Sequence, residues 1–245
     1  MIGIIAAMDE EVAALAAALR AGCGVRTERA VGVKLEAGTL AGREVLLARS
    51  GIGKVAAATT AALLCERVGA VLMVGTAGGL GPAVKPGDVV VADAALQHDV
   101  DARPLFRRWV VPGLGLDRIP TDPVLTGVLA SAAGRVCAGH RAELAVLGLG
   151  EPVVHRGLVV SGDVFVSTSD AAAALRSDLP DALAVEMEGA AVAQVCHRGG
   201  VPFGLVRTIS DSADAEAGVD FPRFLRAVAA PYARDLVLAA MPSLP

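Results

Sequence analysis

The chain has 245 residues, 54% of them hydrophobic and 20% charged, which is ample for a sizeable core in a soluble globular protein. A formal net charge of −4, with 22 Lys and Arg scattered along the sequence, leaves no basic footprint for a phosphate backbone or an anionic membrane. Neither nucleic acid nor membrane is expected as a partner.

The first predicted strand is IGIIAAM (Ile2 to Met8), followed by DEEV opening a helix over Glu10 to Arg20. The apolar start is short, turns acidic and lacks a basic leader, so a cytoplasmic chain is expected. No run reaches the roughly eighteen apolar residues of a membrane span. VLLAR (Val45 to Arg49) is the next strand, and SGIGKVAAAT (Ser50 to Thr59) opens a helix over Lys54 to Val68. Its glycines do not form a P-loop, because Ala48 and Val55 stand where Gly and Ser/Thr are needed. AVLMVG (Ala70 to Gly75) runs into GTAGGLG (Gly75 to Gly81) and then into another strand, DVVVAD (Asp88 to Asp93). A dinucleotide fingerprint needs a helix there. ATP and NAD are therefore unsupported. Both glycine stretches either serve only as turns or bring backbone N–H groups to a small polar ligand.

QHDVDARP (Gln97 to Pro104) offers His98, Asp99 and Asp101 as a candidate metal cluster, although residues so close in a strand-to-loop segment more often hydrogen-bond one another or a neighbour subunit. RRWVVPGLGLDRIPTDP (Arg107 to Pro123) is a long loop or lid. Beyond it come a strand at RGLVVSG (Arg156 to Gly162), helices over Ala171 to Arg176 and Gly189 to Arg198, a strand at FGLVRTISD (Phe203 to Asp211) and a helix over Phe221 to Ala240. This alternation predicts an α/β fold with strands covered on both faces, in one domain over residues 1–245. Cys23, Cys65, Cys137 and Cys196 are far apart in sequence and are expected as buried free thiols, with no zinc site or disulfide framework.

Ligands in open α/β sheets collect at the C-terminal ends of strands, and this chain loads those ends with carboxylates. Asp9, Glu10 and Glu11 suit a helix N-terminus. Glu186 and Glu188 interrupt the apolar AVEMEGAAVAQVC, where ionised groups cost several kcal/mol unless something pairs with them. Ser210 and Asp211 close a strand that also carries Arg207. Hydrolysis at a sugar carbon uses such groups in pairs, one to activate water and one to protonate the leaving group.

IGIIAAMDEEV, SGIGKVAAATTAALL, GTAGGL, VKPGDVVVAD, HDVDA, GLVVSGDVFV and AVEMEGAAVAQVCHRGGVPFGLVRTISDSAD, in this order, resemble the 5′-methylthioadenosine/S-adenosylhomocysteine nucleosidases of the purine nucleoside phosphorylase and nucleosidase superfamily. The resemblance spans nearly the whole chain. It implies a three-layer α/β/α fold with a mixed central sheet, a homodimer, a small nucleoside substrate, and no metal or cofactor. It makes Asp211, held by Ser210, the acid that protonates adenine N7, its pKa raised by burial beneath the base. The backbone of Val166 would read the base edge and Phe165 would stack on it. Glu188 would take the ribose hydroxyls, Met187 would pack on the sugar, and Glu186 would be hydrogen-bonded to backbone beneath this floor. Glu11 would position and deprotonate the attacking water, helped by Thr76 and Arg207; Ser commonly stands in the family where Thr76 is here. Ile52 and Phe221 are further lining residues. Arg103 to Pro123 diverges from the family pattern and leaves the 5′-substituent open, with Leu105, Phe106 and Trp109 as candidates to line its pocket.

Three other readings compete. A nucleoside phosphorylase would need cations for phosphate where this chain has AAMDEEV. An aminodeoxyfutalosine or futalosine hydrolase would share the chemistry with a larger 5′-group or with hypoxanthine as base, and Asp211 favours a 6-amino purine. A nucleoside-binding protein without chemistry would be expected to lack Glu11 or Asp211.

Overall fold

Ile2–Ala6 (β1) is buried along its whole length, as expected of a strand covered on both faces. The computed structural model describes residues 1–22, 24–213 and 221–245, apart from the side chains of Phe221 and Pro222. After β1 come α1 (Asp9–Ala21), β2 (Arg26–Ala30), β3 (Val33–Leu40), β4 (Arg43–Arg49), α2 (Lys54–Cys65), β5 (Ala70–Gly79), β6 (Val89–Gln97), β7 (Ile119–Pro120), α3 (Pro123–Gly139) and α4 (Arg141–Val146). The chain continues through β8 (Val154–Ser161), α5 (Ser169–Asp178), β9 (Ala182–Glu186), α6 (Gly189–Gly199), β10 (Phe203–Asp211), α7 (Phe221–Phe224), a π-helical turn over Leu225–Ala229, and α8 (Ala230–Ala240). Among the described residues no helix is long and apolar enough to cross a membrane.

Among the elements not expected from the sequence are β2, β3, α3 and β9. β2 and β3 are joined by Val31-Gly32, and β3 and β4 by Ala41-Gly42, each pair with positive φ at both residues. Such two-residue turns normally announce themselves as Asn-Gly or Asp-Gly, and Val and Ala at the first position hide them. α3 starts at Pro123, capped by the Asp122 side chain, which accepts from the N–H groups of Val124 and Leu125. Its apolar residues pack against α8 and the sheet, so no polar face marks its period. β9 is five residues rich in alanine, and pairing with β8 and β5 makes it a strand.

The sheet is mixed and runs β10-β6-β8-β9-β5-β1-β4-β3-β2, with β7 on β6. β10 also pairs with β5, so β5, β9, β8, β6 and β10 close into a ring. α1, α3 and α8 cover one face, and α2 and α6 the other. The expected mixed sheet between helical layers is present, with this closure added.

Two details of register position the site. β5 and β9 run antiparallel yet meet only at Gly78 with Val185 and Gly79 with Ala184, so both bring their C-terminal ends to one place. β10 runs parallel to β5 with Arg207 beside Gly75, and its register shifts between Ile209 and Asp211. A bulge of this kind re-aims side chains that strict alternation would send to opposite faces.

A Cβ at Gly75 would lie 2.2 Å from Arg207 Nη1 and 2.8 Å from Glu11 Oε1. Gly75→Ala is expected to cost about 1–3 kcal/mol as an overpacking change, measured by urea denaturation. Gly127→Ala, within α3 and with nothing within 4 Å of the added atom, should instead gain about 0.5–1 kcal/mol. Equal stability of the two variants would contradict the packing described at Gly75.

Candidate active site

The ends of β1, β5, β9 and β10 and the loop after β8 surround one cavity of about 140 Å³, open to solvent. Among the described residues its lining contains Glu11, Glu186, Glu188 and Asp211 and no Lys, Arg or His.

Glu11 lies in the first turn of α1, where its carboxylate reaches back to the start of the helix. Oε2 accepts from the N–H groups of Ala7 (3.0 Å) and Met8 (3.1 Å). Oε1 accepts from the N–H (2.8 Å) and hydroxyl (3.1 Å) of Thr76 at the end of β5. The residue is 2% exposed, whereas Asp9 and Glu10 face solvent and Asp9 pairs with Arg49. The helix-capping role and a place in the cavity thus belong to the same side chain.

Glu186 ends β9 and is held from every side. It accepts from the N–H groups of Glu188 (3.1 Å) and Gly189 (2.8 and 2.9 Å), from the Ser161 hydroxyl at the end of β8, and from the Arg207 guanidinium. Arg207 is 1% exposed and lies behind the floor, away from the lining itself. Its Nη2 is also 3.6 Å from Glu188. Burial works against the charge of Arg207, but Glu186, Glu188 and Glu11 outweigh it and hold the guanidinium protonated.

Glu188 stands at the N-cap position of α6, and its carboxylate accepts from the Gly53 N–H at 2.9 Å, just before α2. Burial, and then the charge of Glu186, push its carboxyl up to about 7, against the opposing pull of Arg207. One cation among three glutamates cannot neutralise them all, and Glu188 is where the excess shows.

Across the cavity, Asp211 Oδ2 accepts from the Ser210 hydroxyl at 2.6 Å and Oδ1 from the Ala213 N–H at 2.8 Å. The bulge in β10 lets these consecutive residues both line the cavity. Phe165, Val166, Ile52 and Met187 supply apolar wall. Phe165 is 59% and Ile52 61% exposed at the rim.

The structure therefore brings together Glu11, Ile52, Thr76, Phe165, Val166, Glu186, Met187, Glu188, Ser210 and Asp211 as lining, with Arg207 one layer behind. The side chain of Phe221 lies outside the described residues. Leu105, Phe106 and Trp109 do not line the cavity of their own chain: Leu105 and Phe106 face solvent, and the Trp109 indole donates to the carbonyl of His98. Asp99 pairs with Lys54 and accepts from the Asp163 N–H, while Asp101 pairs with Arg103. Sequence reasoning missed Ser161 and the pairing of the Gly53 N–H with Glu188. Ser161 is polar at the end of an apolar strand, the same signal that pointed to Asp211. Nothing in the sequence pairs Gly53 with Glu188, 135 residues away.

A carboxyl held at about 7 in the fold, against an ordinary 4.5 in the open chain, binds its proton more tightly when folded. The resulting stabilisation is complete below pH 4.5 and is lost as pH rises through 7. Glu188→Gln should therefore gain stability over the parent protein at pH 8 and show little or no gain at pH 4, read from paired urea titrations. A stability difference independent of pH would remove Glu188 as the group carrying the excess charge.

Residues 1–241 match the family model described as the phosphorylase superfamily. Three similar solved structures are nucleosidases. The 5′-methylthioadenosine/S-adenosylhomocysteine nucleosidase of Neisseria meningitidis, in complex with methylthio-immucillin-A, is 35% identical, with 99% of each chain covered and a TM-score of 0.86. The S-adenosylhomocysteine nucleosidase of Streptococcus pyogenes, with 5-methylthiotubericidin, is 32% identical over 100% of this chain and 97% of that one, at a TM-score of 0.85. The nucleosidase of Colwellia psychrerythraea, in complex with adenine, is 32% identical over 99% of this chain and 95% of that one, at a TM-score of 0.86. With these matches spanning the elements that carry the cavity, the chain belongs to the phosphorylase superfamily, among its 5′-methylthioadenosine/S-adenosylhomocysteine nucleosidases.

Proposed function

We propose that the chain hydrolyses the N-ribosyl bond of 5′-substituted adenosines, with 5′-methylthioadenosine, S-adenosylhomocysteine and 5′-deoxyadenosine as substrates and adenine as product. The observation that carries this reading is a cavity with carboxylates around it and, among the described residues, no cation in its lining to receive phosphate. A phosphate dianion beside Glu11 would be repelled, whereas water would be activated there.

The roles are those the resemblance implies, and the positions of the side chains support them. Asp211 delivers a proton to adenine N7, so the base leaves neutral, and Ser210 holds its carboxyl in place. Phe165 stacks on the base and the backbone of Val166 meets its edge. Glu188 accepts from the ribose hydroxyls above Met187. The sugar approaches an oxocarbenium ion as the bond lengthens, and the nearby glutamates stabilise the developing positive charge. Glu11, fixed by four donors, removes the proton of the attacking water, with Thr76 orienting it. Arg207 takes part through Glu186 and Glu188, a position one layer back from the water-holding role the resemblance implies.

Incubation with each 5′-substituted adenosine, and with aminodeoxyfutalosine, should release adenine and free sugar at a rate independent of phosphate. A 1-phosphorylated sugar, or a requirement for phosphate, would make the chain a phosphorylase. Asp211→Asn should lower kcat by about 10²–10⁴-fold, the usual worth of a general acid, while adenine binding persists. Turnover near that of the parent protein would overturn the assignment of the acid.

The reading includes a homodimer. Ile52, Val164 and Phe165 form an exposed apolar rim at the cavity mouth, and Leu105 and Phe106 are exposed without reaching their own cavity. A second copy would cover the rim and bring these two side chains to the 5′-group. Light scattering on the purified chain should return twice the monomer mass, and a monomer at micromolar concentration would refute the shared pocket.

A further inference from the structure

We propose that Cys65 and Cys196 form a reversible dithiol–disulfide site that joins α2 to α6. Their sulfurs lie 3.7 Å apart although 131 residues separate them in sequence. Cys65 is the last residue of α2, and Cys196 lies in the final turns of α6. The two helices pack against each other on one face of the sheet. Gly199, in the turn that ends α6, lies beside Cys65, where an added Cβ would stand in ordinary contact 3.8 Å from Cys65 Cβ.

The two thiols have different access. Cys196 is fully buried and Cys65 is half-buried, so an oxidant meets Cys65 first. Burial pushes both thiols above their ordinary range, so both are protonated at neutral pH and react slowly, through the small thiolate fraction. Cys65, having given its proton to solvent, attacks one sulfur of a low-molecular-weight disulfide such as oxidised glutathione. The oxidant's S–S bond breaks and one thiolate leaves, taking up a proton. Cys196 then loses its proton, attacks the Cys65 sulfur and displaces the second thiolate. Two protein thiols lose two protons and two electrons, and the oxidant is reduced to two thiols.

The position of the bond gives it a consequence. α2 and α6 both begin at the cavity, where the Gly53 N–H meets Glu188. A crosslink at their far ends fastens together the two helices whose first turns hold that carboxylate. None of this depends on the proposed reaction, and the test needs no activity.

The full-length protein is incubated with oxidised glutathione, alkylated under denaturing conditions and digested without reductant. A linked peptide pair containing Cys65 and Cys196 is expected, with the intact mass lowered by two hydrogens and restored by dithiothreitol. Tm should rise by several degrees on oxidation and fall back on reduction, because the closed loop constrains the unfolded chain. Cys65→Ser and Cys196→Ser should each abolish the linked pair and the Tm shift. Both thiols remaining alkylatable, a glutathione adduct on Cys65 that Cys196 never displaces, or a bond to Cys23, Cys137 or a second chain would each overturn the proposal.

Discussion

One buried cation among three buried glutamates is the constraint on which the rest of this site depends. Arg207 is almost entirely removed from solvent, and it is paired with Glu186 and lies close to Glu188. An ion pair in such a place is expensive to desolvate and is tolerated only when the remaining donors and acceptors are satisfied. Here Glu186 takes two backbone N–H groups, a serine hydroxyl and the guanidinium. Glu188 is left as the group whose proton is loosely decided, pushed up to about 7. This charge surplus, which folding alone leaves uncompensated, faces the cavity.

The fold supplies this arrangement through strand ends that close on each other. Because β5 and β9 touch only at their last residues, strands running in opposite directions still deliver Thr76 and Glu186 to one place. The shift in β10 turns Ser210 and Asp211 into the cavity while Arg207 stays beneath it. Gly75 is the spacer that lets Arg207 and Glu11 approach over the β5 backbone. Helix starts complete the site: Glu11 belongs to the first turn of α1, Glu186 accepts from the first N–H groups of α6, and the N–H just before α2 holds Glu188. Groups that would be orphaned at helix termini are here satisfied by the site itself.

Legibility in the sequence followed locality. The carboxylates at Glu11, Glu188 and Asp211 could be found because each ends or follows an apolar run, and a charge there is conspicuous. Ser161 carried the same signal more faintly, since serine at a strand end is common. β2 and β3 escaped because their turns use Val and Ala before glycine, and α3 because it is apolar on most sides. The four cysteines were expected as separate thiols, yet Cys65 is only half-buried and its sulfur lies 3.7 Å from that of Cys196.

By itself the sequence determined the class of fold, the strand ends where chemistry sits, and the kinds of residue available there. Periodicity and composition are properties of neighbours along the chain, and those features are written in neighbours. Only the tertiary structure decided that Arg207 backs the floor instead of lining it, that Gly53 holds Glu188, that Leu105 and Phe106 stay off their own cavity, and that two distant cysteines meet. Each of these depends on where one strand or helix crosses another, and the packing of the sheet and its helices sets that crossing.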